Sequence, residues 1–548
     1  MMRSAGWLML LFFPVWLQAQ AGGGLCKWWV ELKDKEDSPW SVDRPAEFLS
    51  ARSLERRARN GVEVLEEDLP VNPQYVNALR KAGYVIHGTS RWMNAVAVIA
   101  DTATGLQLTT FPFVKKLTYL GRDIRVKNAP NRLDKRRTIF PQNREPEAKF
   151  GPLGYSAINL NPLQMPFLHD VGAKGAGIWV VVMDGGYINV DTMPFFDSIA
   201  YNGRLWPGPD FVERDRAVYE SAQHGTSVLS VMASNLPGYF VGGAPDATYF
   251  LLKTEDTGGE FPIEEVNWIM GAEWADSIGA NIINASLGYT SFSDTLLSHK
   301  YLELDGQTAI GSKGATKAAR KGMIICNSAG NSGDEPWHYL GVPADAEGVV
   351  AVGALDSQTD RLAPFSSHGP TVDGRIKPDL STPGMNVVTA GGVGDELTIS
   401  AGTSIASPIL VGSIAALWSD FPDVPAEDIL NAIFATADQA GRPDNDRGYG
   451  MPDFFRSWKR LNGLMGITRE GLFGFDYVTG KLTMLLFYEK PEDGAVFRVK
   501  NVLGQTCVTG KIQVKGNTLK VIKAIGLAEL KSGYYRLEIN RQSFGFGM

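Results

Sequence analysis

The sequence predicts an α/β protein built on a central parallel sheet, with a small α+β unit ahead of it and an all-β region behind. Three observations carry this prediction. Short apolar runs rich in Val and Ile, namely GIWVVVM (177–183), ATYFLLK (247–253), ANIINAS (280–286), GMIICNS (322–328) and GVVAVGA (348–354), have the composition of strands buried on both faces. Helical stretches such as IEEVNWIMGAEWADSIG separate these runs, which implies parallel strands with helices on both sides. From about residue 466 the pattern changes to short alternating segments, KLTMLLFYE, AVFRVKNVLG, NTLKVIK and YYRLEIN, with turns between them.

The N-terminus, residues 1–21, has a cation at Arg3, an apolar stretch from Trp7 to Leu17 and small residues at Ala19 and Ala21, the layout of a signal peptide. Segment 22–121 is expected to be the α+β unit. KWWVELKD reads as a strand. Asn72, Pro73 and Gly83 bracket NPQYVNALRKAG as an N-cap, a first-turn proline and a C-terminal glycine. YVIHGTS and WMNAVAVIA read as paired strands, and KLTYL as a further one. PAEFLSARSLERRARNG reads as a basic helix with a solvated face. Residues 122–150 are polar, bear prolines and carry a basic run at Lys135–Arg137, so they read as an exposed linker open to processing. The main domain then spans 151–462 and the β domain 466–548, the latter expected to be sandwich-like.

Composition narrows the function classes. With 548 residues, 44% hydrophobic and 21% charged, the chain is ordinary for globular domains. A net charge of −7 argues against nucleic acid as the partner. No stretch after the leader is long and apolar enough to span a bilayer, so the mature chain is expected to lack a transmembrane segment. Cys26, Cys326 and Cys507 lie too far apart for a metal motif and form no disulfide framework; Cys326 reads as a core side chain.

Chemistry-bearing residues gather where strands end, as expected for an open parallel sheet. IWVVVM runs into Asp184, followed by two glycines; alone this is equally an Asx turn. His224, one of six histidines, opens an amphipathic stretch with Gly-Thr behind it. Asn331 follows a strand between glycines, as an oxyanion donor or a turn residue. Ser404 stands at the mouth of SAGTSIASPILVGSIAALW, a helix apolar on all faces and therefore buried. Unpaired N–H groups and the helix dipole at that position favour developing negative charge. Pro408 lacks the N–H that would bond the Ser404 carbonyl, so a distorted first turn is expected.

In the order Asp, His, Asn, Ser, the stretches VVMDGG, HGTSV, NASLG, AGNSG, FSSHGP, KPDLSTPG and GTSIASP resemble the subtilisin-like serine proteases (subtilases, peptidase family S8) over about 176–418. The resemblance implies a three-layer subtilisin-like fold and a secreted endopeptidase. Ser404 would be the nucleophile, His224 the general base, Asp184 its orienting partner, and Asn331 with the Ser404 N–H the oxyanion hole. Ser286, Leu287 and Gly288 would form one wall of the specificity pocket, and Ala329 and Gly330 the other, with Gly341 near the base. A glycine-lined slot suggests an apolar residue before the cut, whereas Asp334 and Glu335 nearby would favour a basic one. Ser227 stands where a second histidine is common in the family. The chemistry needs no cofactor. Structural calcium stays open: loop SNLPGYFVGG lacks carboxylates, and the acidic PDNDRG (443–448) is the alternative place.

By the same resemblance, segment 22–121 would be an inhibitory prodomain, released by cutting in the linker. The tail resembles the C-terminal sorting domain of type IX secretion, with that machinery as a partner. Its end, SFGFGM, lacks the usual basic residue, and a plain β accessory domain is the alternative. The expected partners are therefore polypeptide substrates, the chain's own prodomain and export machinery, and the expected location is outside the cell or on its surface. Two readings compete with hydrolysis, a peptide ligase and a non-catalytic binding protein on the same fold.

Overall fold

The computed structural model describes residues 24–123, 137–138 and 148–464, and in the tail 472–476, 481–485, 496–501, 505–515, 518–525, 534–539 and 542–547. The expected signal peptide and most of the expected linker lie outside the described residues.

A seven-stranded sheet organises the main domain, in the order Leu380–Met385, Val349–Asp356, Ile324–Ser328, Ile282–Ala285, Trp179–Asp184, Thr248–Lys253, Leu205–Asp210. Every neighbouring pair is parallel. Successive residues of the strand Trp179–Asp184 serve opposite cores. Val180 and Val182 pack with the helices His224–Ala233 and Thr403–Ser419, while Val181 and Met183 pack with Ile263–Ile278 and Ile310–Ala319. Burial on both faces is the reason these strands read as unbroken apolar runs. The two outermost strands are ones the sequence does not announce. LWPGPD and LSTPGM carry prolines, which a sheet tolerates at its edges because only one side of the backbone is paired there.

The N-terminal unit is a four-stranded antiparallel sheet in the order Val85–Ser90, Ala95–Asp101, Leu25–Leu32, Val114–Arg122. Its helix Pro73–Lys81 starts where Asn72 Oδ1 accepts from the Gln74 N–H, and Gly83 follows at φ 91°. The helix Ala51–Arg59 corrects an expectation. Its basic face is not solvated: Arg56 and Arg57 are 2% and 1% exposed. Both guanidiniums, with that of Arg91, converge on Asp276 of the main-domain helix Ile263–Ile278. Arg57 also clasps Asp68 through two hydrogen bonds of 2.9 and 3.0 Å, and Lys321 reaches Asp68 at 3.0 Å. One turn earlier, the Glu273 carboxylate accepts from the Ser90 hydroxyl and the N–H groups of Arg91 and Trp92. The N-terminal unit thus seats Arg56, Arg57 and Arg91 on one helix of the main domain and sets Asp68 against Lys321, just beyond another.

The linker expectation is also amended. The strand Val114–Arg122 runs one residue into it. Further on, Arg137–Thr138 adds to the hairpin Val387–Ala390/Leu397–Ser400 as a third strand. In the tail the described strands hydrogen-bond in one antiparallel order, Leu472–Asp476, Lys481–Leu485, Thr518–Ile525, Thr506–Lys515, Val496–Asn501, Tyr534–Ile539, Gln542–Gly547.

Two predictions follow from these buried charges. Asp276→Asn would leave Arg56 and Arg91 without their ion-pair carboxylate and Arg57 with Asp68 alone, a loss of roughly 3–5 kcal/mol, read from the urea midpoint of the intact chain. His299 lies between Glu265 and Glu303, 2.8 Å from each. Burial opposes its charge, but the two carboxylates prevail and push its pKa up from 6.5 to about 9. A raised pKa stabilises the fold fully below pH 6.5, and that stabilisation fades as pH rises through about 9. His299→Gln should remove this part of the alkaline slope in a pH series of melting temperatures.

Candidate active site

Asp184 ends the strand Trp179–Asp184, and both of its carboxylate oxygens are committed. Oδ1 accepts from the Gly185 N–H at 2.8 Å, the local turn bond that the sequence allows. Oδ2 lies 2.8 Å from His224 Nδ1. Turn residue and histidine partner are therefore one side chain in two roles. Asp184 is 4% exposed, whereas the His224 side chain keeps 32% of its surface accessible.

The approach of these two segments depends on Gly225. A Cβ there would sit 2.3 Å from the Gly186 carbonyl oxygen and 2.8 Å from the Tyr187 ring, so any larger residue would push the histidine helix off the Asp184 turn. The helix is held from the other side by hydroxyls. Thr226 donates to the Ile188 carbonyl, Ser227 to the Ala390 carbonyl, and the Ala390 N–H donates to Ser230. Ser227 thus has a structural role.

The helix Thr403–Ser419 is buried along nearly its whole length and packs against His224–Ala233. Ser404 is half-buried in its first turn. Pro408 lies within this helix without ending it. The carbonyl it leaves orphaned, that of Ser404, accepts from the Ser286 hydroxyl at 2.7 Å. The Ser407 hydroxyl donates to Asn284 Oδ1, and Thr382 donates to the Ala406 carbonyl. Asn331 Oδ1 accepts from both the N–H and the hydroxyl of Thr403, at 2.8 and 3.0 Å. Its amide nitrogen is left to face the turn ahead of the helix. There Gly402 adopts φ 152°, and a Cβ on it would meet Ser404 Oγ at 2.9 Å, with Asn331 Nδ2 and the Ser404 N both at 3.7 Å. A hydroxyl, an amide N–H₂ and a backbone N–H are therefore gathered around one point at a helix N-terminus, an arrangement suited to negative charge on an oxygen.

Beside this point lie the remaining sequence candidates. Tyr289 and Val342 exchange backbone hydrogen bonds, which sets Gly288 against Gly341. The Ala329 carbonyl accepts from the Gly341 N–H, and the Gly330 N–H donates to the Thr403 hydroxyl. The Leu287 carbonyl accepts from Asn327 and Ser328. Asp334 and Glu335 are exposed, and Glu335 accepts from the Ser332 hydroxyl. Sequence reasoning missed three contributors, Thr403, Gly225 and the hydroxyl of Ser286. The small residues beside each motif were a signal for the first two.

Segment 234–243 pairs Asn235–Leu236 with Phe240–Val241 and brings no carboxylate. In PDNDRG, Asp444 accepts from the Asp446 and Arg447 N–H groups and Asp446 pairs with His368.

Residues 175–451 match the Subtilase family, peptidase S8, and residues 27–136 match the peptidase S8 propeptide domain of Bacteroidota. The chain is similar to a thermostable alkaline protease of Halalkalibacterium halodurans, 30% identical over 293 residues that cover 53% of this chain and 69% of that protein. It is similar to subtilisin DY of Bacillus licheniformis, 29% identical over 273 residues, 49% of this chain and 87% of that one. A solved structure of the MycP3 protease from the type VII (ESX-3) secretion system covers 57% of this chain and 90% of its own, at 24% identity and a TM-score of 0.43. The chain belongs to the subtilase family of serine endopeptidases and carries that family's propeptide domain at its N-terminal end.

Proposed function

We propose that the protein is an exported, self-processing endopeptidase whose triad is Asp184, His224 and Ser404. The observation that carries this reading is the 2.8 Å contact between His224 Nδ1 and Asp184, with Ser404 standing on a helix packed against the histidine's own. His224 takes the Ser404 proton as the hydroxyl attacks the scissile carbonyl, then passes it to the leaving amine. Asp184 holds the imidazole tautomer and stabilises its charged form. Asn331 Nδ2 and the Ser404 N–H receive the oxyanion of the tetrahedral intermediate. Water then repeats the sequence on the acyl-enzyme.

Ser286–Gly288, Ala329–Gly330 and Gly341 form the slot for the residue before the cut. Its close glycines leave room for an apolar side chain. No metal takes part in these steps. The propeptide blocks the cleft until the chain is cut after residue 122, and the leader at 1–21 directs export, as in secreted subtilisins. The tail serves sorting or attachment at the cell surface. Among the described residues no helix is long and apolar enough to cross a membrane, which fits a released or surface-held product.

Three outcomes test this. A serine-directed fluorophosphonate should label Ser404, read by peptide mass spectrometry, and His224→Ala should abolish labelling. Ser404→Ala should accumulate as full-length precursor on a gel. In processed enzyme, Asp184→Asn should lower kcat by about 10⁴-fold, and Asn331→Ala by about 10²–10³-fold with less change in KM.

A further inference from the structure

The hairpin Val387–Ala390/Leu397–Ser400 leads straight into the nucleophile. Only Ala401, Gly402 and Thr403 separate its second strand from Ser404. The inner edge of that strand is paired along its length, with Ser400 opposite Val387 and Leu397 opposite Ala390. On its outer edge Arg137 stands opposite Ile399, and Thr138 opposite Thr398. Both belong to the segment that follows the propeptide strand Val114–Arg122. The next residue toward the site, Ala401, is exposed, and its backbone has no hydrogen-bond partner among the described residues. A strand edge that is partly paired and partly open is a template for another strand.

The polarity of the pairing identifies which part of a substrate fits. Arg137–Thr138 runs antiparallel to Leu397–Ser400, so its N-terminal end is the end nearer Ser404. A strand in that place approaches the nucleophile from the C-terminal side of the bond to be cut. A strand of opposite polarity would carry the N-terminal side instead. The register also supplies a count. Gly402, around which the Ser404 hydroxyl, the Asn331 amide and the Ser404 N–H gather, lies three residues beyond Ile399. At about 3.4 Å per residue, the place opposite Ile399 is roughly 10 Å from that point, which suits about the third to fifth substrate residue after the cut.

We propose that Leu397–Ser400, continued by Ala401, is the docking strand for the substrate segment C-terminal to the scissile bond, and that Arg137–Thr138 is its first occupant. The proposal rests on the endopeptidase reading above. It places the maturation cut a few residues before Arg137, rather than directly behind Val114–Arg122. After that cut, the two paired residues form a short ladder near a free N-terminus, and a substrate that pairs over more residues displaces them. Pairing through the main chain adds affinity without demanding particular side chains.

The test uses processed wild-type enzyme and a library peptide that it cuts at a single bond. Backbone N–H groups of the peptide are replaced by N-methyl one at a time, from the second to the sixth residue after the cut. Every second replacement should lower kcat/KM by about threefold to tenfold and those between should change it little, because alternate residues of an antiparallel strand turn their N–H groups to the partner. Peptides that end two residues after the cut should be about tenfold poorer than those that end six after it. In a time course of purified precursor, the first new N-terminus, read by peptide mass spectrometry, should be one of residues 133–135. N-methyl groups tolerated at every position beyond the second residue, or an effect without a period of two, would overturn the proposal alone. So would equal rates for the short and long peptides, or a first new N-terminus anywhere else. Wild-type enzyme that cuts neither its precursor nor any library peptide would overturn both this proposal and the endopeptidase reading.

Discussion

The site depends on how one buried helix begins. Thr403–Ser419 has no solvated face to set its rotation, so its first turn must be fixed from outside. Pro408 removes the backbone donor that would have closed that turn onto the Ser404 carbonyl. The vacancy is filled by the Ser286 hydroxyl, from the segment after a different strand. Thr403 is bonded to Asn331 in the same way, from the segment after a third. The helix N-terminus is therefore tied to the carboxyl ends of two neighbouring strands, and the hydroxyl of Ser404 inherits its position from the sheet. Those bonds also explain why the candidate oxyanion donors need no search for one another. Asn331 spends its oxygen on Thr403, and its nitrogen is left facing the serine.

Much of this is legible in the sequence, and the part that is not has a common cause. The helix after Asn72 could be read residue by residue, because an N-cap, a first-turn proline and a closing glycine are local signals. The central strands could be read because burial on both faces erases alternation. Pro408 revealed which carbonyl would be orphaned, but not that a donor 118 residues away would satisfy it. Arg56 and Arg57 looked like a solvated face because their counter-charge, Asp276, lies about 220 residues further on. The edge strands were hidden by their prolines, which argue against a strand unless it is known to lie at a margin. Local chemistry was visible, whereas pairings between distant segments were not.

The helix Ile263–Ile278 gives the precursor its geometry. Its C-terminal half carries Glu273 and Asp276, on which the propeptide sets its charges. Its N-terminal half, with Phe261 before it, carries the apolar patch against which Trp29 and Leu120 of the propeptide pack. One rigid element thus fixes both ends of the propeptide's seat. The outgoing strand Val114–Arg122 sets Leu120 against Phe261 and Gly121 against Leu297.

Burying so many charges beneath a removable unit has a thermodynamic logic. A buried ion cluster gains little net stability, because the attraction it recovers is offset by the hydration its members lose. Breaking one member is costly, since the others stay buried without a partner. Separating the whole unit is different, because every guanidinium and carboxylate returns to water together. The charge cluster therefore acts mainly on register: a propeptide shifted by one residue would bury unmatched charge, whereas one that leaves entirely does not. How long a cut propeptide stays bound should then follow the apolar contacts of Trp29 and Leu120 with Phe261, Ile263, Val266 and Met270, which lose favourable burial on release. The ionic half of the interface determines where the propeptide sits, and the apolar half determines how long.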